Sequence, residues 1–182
     1  MTVRSIRGAS LAAAGMLAVV TLLAACATTA PPSADSVEPA YDPVALVAQV
    51  RASAGNEGGK DELAISPLRD PMVVGLRENA AKAEREGRYA DAATALDQAL
   101  AETGDDPAVL QERAEAALLN RDLDGAERFA RQAHDVGAQV GPLCRRHWAT
   151  VRVVRQTRGD TTAAAEAQRQ LDACKVTAPP RY

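Results

Sequence analysis

The amino-acid sequence predicts an all-α fold, a superhelix of about three helix-turn-helix units preceded by a disordered tether. The first observation is a repeat, because Leu76 recurs as Leu110 after 34 residues, a period typical of stacked repeat units. The second is the Asp-Pro dipeptide at residues 70–71 and 106–107, in which Asp caps a helix and Pro occupies its first turn. The third is composition: no long run of alternating β-branched residues occurs, and one Phe, three Tyr and one Trp are few aromatic residues for a β-sandwich.

The first 25 residues have the organisation of a secretory signal peptide. Arg4 and Arg7 supply positive charge, and residues 8–25 form an uncharged, mostly apolar stretch. It ends in Leu-Ala-Ala-Cys at residues 23–26, which resembles the lipobox of bacterial lipoproteins. The resemblance implies that residues 1–25 are removed and that Cys26 carries the lipid. The alternative, an uncleaved transmembrane helix, is disfavoured because the stretch is short and rich in Ala and Gly.

The same resemblance implies a location. In Gram-negative lipoproteins an Asp after the lipidated cysteine tends to retain the protein at the inner membrane, and residue 27 is Ala. The expected place is therefore the outer membrane, lipid-anchored and facing the periplasm, with acyl chains that contribute about 0.8 kcal/mol per buried methylene. Loss of two arginines with the signal peptide changes the formal net charge from −3 to −5, which gives no global attraction for nucleic acid.

Residues 26–70 are predicted to be the lipidated cysteine and a flexible tether. Residues 27–43 are rich in Thr, Ser, Ala and Pro. A short amphipathic helix is expected over residues 44–54, with Val44, Val47 and Val50 along one side, before a glycine-rich stop.

Beyond the tether, the predicted helices span residues 71–86, 90–103, 107–120, 124–136, 142–158 and 162–175. They form a helical repeat domain over residues 71–176, and residues 177–182 are expected to be a flexible tail. Within the repeats, Tyr89, Ala92, Leu96 and Ala99 recur as Leu123, Ala126, Ala130 and Ala133.

Over about residues 72–175, the arrangement of two helices per 34-residue unit resembles that of the tetratricopeptide repeat family. Small residues let the paired helices approach, and larger ones fill the space between units. A third, less regular unit follows a four-residue insertion. Arg152 and Gln168 there replace a small and an apolar residue, which is typical of a capping unit. The alternative is a plain helical bundle with accidental periodicity.

Cysteine count predicts one disulfide. If Cys26 is lipidated, Cys144 and Cys174 are the remaining pair, and export places them in an oxidising compartment. In the tetratricopeptide frame they lie at the start of one helix and the end of its antiparallel partner. The bridge would contribute about 3 kcal/mol. The alternative is that the two cysteines are a reactive or metal-binding pair. It is disfavoured because the sequence has neither a CxxC motif nor a histidine at ligand spacing.

Two candidate binding surfaces follow. Tetratricopeptide domains usually hold peptides in the groove of their first helices, so the resemblance implies partner-binding residues Arg77, Glu84, Gln111, Glu115, Arg146, Val153 and Gln156. The other is a basic helix over residues 142–158, which carries Arg145, Arg146, Arg152, Arg155 and Arg158 and no acid, while residues 84–127 hold twelve acids and four arginines. The simplest interpretation is two solvated faces of opposite charge; the alternative is binding of an acidic partner or a phosphate-bearing envelope polymer. Without interleaved aromatics, nucleic-acid binding is excluded.

Catalytic signatures are lacking: the sequence has no GxSxG, HExxH, P-loop or dinucleotide fingerprint. His134 is expected to be a partly exposed surface residue and His147 to lie at the helix surface or core edge, and no metal or cofactor is predicted. The leading hypothesis is a non-enzymatic, membrane-tethered adaptor or scaffold lipoprotein that binds another cell-envelope protein through the groove. One alternative is a weakly self-associating structural lipoprotein, whose acidic middle pairs with a neighbour's basic helix. Another is a cell-wall-acting enzyme, which would need a carboxylate pair in a cleft.

Overall fold

The computed structural model describes residues 41–55 and 70–175. The predicted signal peptide, Cys26 and the C-terminal tail lie outside these residues, as does most of the predicted tether. The described residues form helices and no strand, which confirms the all-α fold class. The helices are α1 (Pro43–Ser53), α2 (Pro71–Arg85), α3 (Tyr89–Thr103), α4 (Pro107–Leu119), α5 (Leu123–Val136), α6 (Gly141–Thr157) and α7 (Thr161–Ala173).

All six predicted repeat helices are present, with ends within two residues of the predicted ones. Local capping chemistry explains this agreement. The Asp106 carboxylate accepts hydrogen bonds from the backbone N–H groups of Ala108 and Val109 at 2.8 and 3.0 Å, and Asp70 accepts one from Met72 at 2.7 Å. These bonds satisfy amide groups that the first turn of a helix leaves unpaired.

The three helical hairpins, α2–α3, α4–α5 and α6–α7, share one turn geometry. Gly87, Arg121 and Gly159 each adopt a left-handed conformation, with φ of 73°, 62° and 75°. In each turn the next residue's N–H bonds back to a carbonyl five residues earlier, at 2.8, 2.9 and 3.0 Å. The same turn therefore recurs after 34 residues and again after the four-residue insertion.

Alanine lets the helices of this stack approach closely. Ala99, Ala126, Ala130 and Ala133 on the second helices are completely buried. Because a methyl group fills little space, the core needs larger side chains between the hairpins, and Leu110 and Leu118 are among the largest fully buried ones. The domain thus achieves burial through many small contacts.

Cys144 and Cys174 are joined by a disulfide bond, with their Cα atoms 5.7 Å apart. Cys144 lies in the first turn of α6 and Cys174 caps the end of α7. The Gly141 N–H also donates a hydrogen bond to the Cys174 carbonyl at 2.8 Å. The open ends of the last hairpin are therefore held together covalently and by the backbone.

The short helix expected in the tether is present as α1, but it packs against α4 and α6 as part of the compact domain. Val47 and Val50 are 3% and 0% exposed, whereas Val44, expected on the same side, is 55% exposed. The reason is geometric: a three-residue step turns back about 60° on a helix of 3.6 residues per turn. A third valine at this spacing therefore reaches the edge of the buried face.

Candidate functional site

The first helices of the three hairpins, α2, α4 and α6, form one face of the domain, called here the first-helix face. The predicted groove residues lie on it, and three of them meet at its centre. Glu115 accepts hydrogen bonds from Arg51 of α1 at 2.7 Å and from Arg146 at 3.0 Å. Glu84 accepts two from Arg51, at 2.7 and 2.9 Å.

The remaining predicted groove residues have different environments. Arg77 pairs with Glu112, with Nε to Oε2 at 2.8 Å, and so bridges α2 and α4. Val153 is completely buried, as is Gln111, whereas Gln156 is exposed.

Helix α1 covers the part of the first-helix face formed by α4 and α6. Val47 and Val50 belong to an apolar cluster that includes Leu118, Ala149 and Val153. Hydrogen bonds hold both ends of this segment: the Tyr41 hydroxyl donates to the Leu118 carbonyl at 2.6 Å, and Arg145 donates to the Ala54 carbonyl. The predicted partner groove is therefore partly filled by a helix of the same chain.

Beneath α1 lies a buried polar network. The Gln111 side-chain amide donates to Glu115 at 2.9 Å and lies 3.0 Å from the Thr150 hydroxyl. Its oxygen lies 2.8 Å from Nδ1 of His147. Because the amide oxygen is an acceptor, Nδ1 carries the hydrogen and Nε2 of His147 is left as an unprotonated nitrogen. Among the described residues, Nε2 has no hydrogen-bond partner.

His147 is completely buried, not at the helix surface or core edge as expected. Burial and, to a smaller extent, the charges of His134 and Arg146 together lower the pKa of His147 to about 3. The sequence expectation missed this placement because histidine at this point of α6 faces the polar side chain of Gln111 on α4, which no pattern within α6 indicates.

The buried neutral His147 predicts acid sensitivity. Between its ordinary pKa of 6.5 and about 3, the unfolded chain binds a proton at this site that the folded chain does not. Stability therefore falls as the pH drops below 6.5, and at pH 5 this site costs about 2 kcal/mol of unfolding free energy. Urea unfolding across pH should give a shallower pH dependence for His147→Gln than for the wild type. Ala165→Gln, on the exposed surface of α7, is the control and should keep the wild-type slope; equal slopes for all three proteins would contradict the assignment.

Three of the five arginines of the predicted basic helix form ion pairs with acids of the same chain. Arg155 and Arg158 donate to Glu127 at 2.9 and 2.8 Å, and Arg158 also pairs with Asp124. With Arg146 bound to Glu115, these contacts join α6 to the acidic segment of α4 and α5. The opposite charges thus meet across helices of one chain and are not two separate solvated faces.

The other two arginines of α6 are also partly enclosed. Arg145 binds the C-terminal end of the α1 segment. Arg152 is half-buried, and burial lowers the pKa of its guanidinium.

Beside α1, the first-helix face retains an open groove between α2 and α4, with a volume of about 650 Å³. Apolar atoms of Val74, Ala81 and Leu96 contribute to its lining. Charged side chains, among them Arg77 and Arg85, also contribute. A groove with apolar and charged lining suits a peptide segment that has both kinds of side chain.

No protein-family model matches the chain, and no curated protein matches its sequence. Among the helices of residues 41–55 and 70–175, none is both long and apolar enough to cross a membrane. Those same residues contain no group of three or more His, Cys, Asp or Glu side chains placed to hold a metal ion.

Proposed function

We propose that the chain is a non-enzymatic adaptor of the tetratricopeptide type, lipid-anchored at Cys26 to the outer membrane, which binds another cell-envelope protein in the periplasm. The 34-residue period and the turn shared by the three hairpins support the tetratricopeptide assignment. The Leu-Ala-Ala-Cys motif at residues 23–26 supports the anchor.

The observation that carries the proposal is the occupied first-helix face. Helix α1 lies on it through Val47 and Val50 and through the ion pairs of Arg51. A surface that accommodates one helix through two buried valines and an arginine is suited to helix-in-groove recognition. The open groove between α2 and α4 continues this surface and offers room for a partner segment.

The ion pairs support an adaptor over an enzyme. Glu112 is held by Arg77, and Glu115 by Arg51 and Arg146. A general acid or base needs a carboxylate oxygen within hydrogen-bond reach of the substrate, and the oxygens of these two carboxylates are bound by guanidinium groups of the same chain. These carboxylates are thus suited to fix the geometry of the face.

The intramolecular contacts of α6 favour a different protein as partner over a second copy. Self-association through an acidic middle and a basic helix would need those charges to be available. Glu115 and Glu127 are instead bound by Arg146 and Arg155 of α6, and Asp124 by Arg158 at the C-terminal end of that helix. The disulfide between Cys144 and Cys174 also supports export, since such bonds persist in oxidising compartments.

In-cell photo-crosslinking tests the proposal. A photoreactive amino acid at Ala81, an exposed residue of the open groove, should give a discrete adduct with an envelope protein. The matched control is Ala165, exposed on α7, and should give none. Cys26→Ser should move the chain from the membrane to the soluble fraction. Identical adducts at both positions, or none at Ala81, would refute groove binding, and retention of Cys26→Ser on membranes would refute the anchor.

A further inference from the structure

Helix α1 covers an apolar strip of the first-helix face that would otherwise be exposed to solvent. Val47 and Val50 pack with Leu118 of α4 and with Ala149 and Val153 of α6. These three residues of the first-helix face are completely buried in the structure. If α1 left, their side chains would form a contiguous apolar surface, which soluble domains rarely leave exposed.

The ion pairs between α1 and the first-helix face require an arginine at position 51 of α1. Nη1 and Nη2 of Arg51 reach the two carboxylate oxygens of Glu84, at 2.7 and 2.9 Å, while Nε reaches Glu115 at 2.7 Å. A single guanidinium thus binds two carboxylates in directions set by its planar geometry. A lysine ammonium, a compact point charge, does not reproduce this paired and forked contact.

Helix α1 is also the element best suited to leave. It has 11 residues, below the roughly 12–15 at which isolated helices become stable in water. It contributes few buried side chains, and residues 56–69 separate it from α2 along the chain. Such short, peripheral elements open at lower free-energy cost than the central core.

We propose that α1 is a displaceable internal ligand of the first-helix face, and that the partner binds there with a helix of the α1 pattern. That pattern is two aliphatic side chains three residues apart followed directly by an arginine, as in Val47, Val50 and Arg51. This inference rests on the proposed adaptor function and names the chemistry of its partner. The partner binds only those chains in which α1 has left the face. The apparent affinity is therefore the intrinsic affinity multiplied by the fraction of chains in which the face is open.

A peptide-exchange experiment tests the displacement without any cellular partner. A fluorescent peptide of residues 41–55 is titrated with the full-length chain and its binding followed by anisotropy. Val50→Asp removes a buried contact of α1 and opens the face, so this variant should bind the peptide at least about tenfold more tightly than the wild type. Val44→Asp changes an exposed residue of the same helix and should behave as the wild type.

The peptide sequence tests the charge requirement. Peptides with Arg51→Glu should bind the Val50→Asp chain at least about tenfold more weakly than the native peptide, because a carboxylate then meets Glu84 and Glu115. If Val50→Asp fails to fold by circular dichroism, Arg51→Ala in the chain serves as the opening variant, since it removes the ion pairs and keeps both valines.

Two results would overturn the inference. Equal peptide binding by the Val44→Asp and Val50→Asp chains would mean that α1 does not occupy the peptide site. Formation of dimers between the wild type and Val50→Asp, measured by light scattering, would assign the face to a second copy of the chain. Failure of peptide exchange leaves binding in the open groove beside α2 intact, whereas failure of crosslinking at Ala81 leaves peptide exchange intact, so the two proposals fail separately.

Discussion

Replacing Cys144 and Cys174 together by serine is expected to lower the free energy of unfolding by about 3 to 4 kcal/mol. The two cysteines are separated by 30 residues, and their bond restricts the unfolded chain by closing that loop. The loss should be large for this domain because the disulfide joins the open ends of its last hairpin, where no fourth hairpin is present in the described residues to cover α7. Urea unfolding of the double variant and of the wild type, with and without reductant, measures the effect.

The matched control is Cys26→Ser, which should unfold at the wild-type urea concentration without reductant. Mass spectrometry of the wild type before and after reduction should differ by two hydrogens at this pair. Unchanged wild-type stability on complete reduction would be incompatible with the expected contribution of the bond.

Glu115→Ala is expected to destabilise the domain by about 3 kcal/mol, the lower end of the cost of breaking a buried ion pair. Glu115 has 1% side-chain exposure, while its partners Arg51 and Arg146 are 44% and 18% exposed. The substitution leaves Arg146 and one of the two N–H groups of the Gln111 amide without their acceptor. The lower end applies because both arginines can regain water after the carboxylate is removed.

Urea unfolding measures this change as well, and Glu166→Ala is its control. Glu166 pairs with Arg169 on the exposed surface of α7, so its removal should leave the unfolding midpoint unchanged, as for most surface ion pairs. Glu115→Gln should cost less than Glu115→Ala because the amide oxygen keeps one acceptor. A Glu115→Ala variant as stable as Glu166→Ala would show that the ion pairs contribute no stability.

The repeat helices could be predicted from sequence because their signals are local. Asp106 and Pro107 start α4 through contacts within one turn, and the alanine pattern records the close approach of paired helices. The turn at Arg121 was predicted as a break but not as a left-handed residue, since glycine usually occupies this conformation. Its guanidinium lies 4.8 Å from the ring centre of Tyr41, 80 residues earlier, a contact that no local pattern encodes.

The candidate site was predicted less completely for the same reason. The family resemblance predicted Glu84, Glu115 and Val153 as partner-binding residues of the groove; in the structure they lie on α2, α4 and α6 and contact α1. It did not predict that Arg51 binds two of these residues, because the contacts join positions 33 and 64 residues apart. The three-residue spacing of the valines indicated that residues 44–54 form a helix. It could not indicate on which surface of the domain that helix packs, because this depends on residues of α4 and α6.

The position of α1 in the chain gives the groove a mechanical property. Everything that precedes Tyr41 is joined to the repeats through α1, so a pulling force on that part of the chain loads α1 before it reaches the hairpins. Unwinding α1 lengthens it from about 1.5 Å to at most about 3.6 Å per residue. Because the unwound segment is longer, tension lowers the free energy of the unwound state relative to that of docked α1. Force along the chain is therefore expected to favour release of Val47, Val50 and Arg51 from the first-helix face, and the proposed binding surface would then be more accessible under load than at rest.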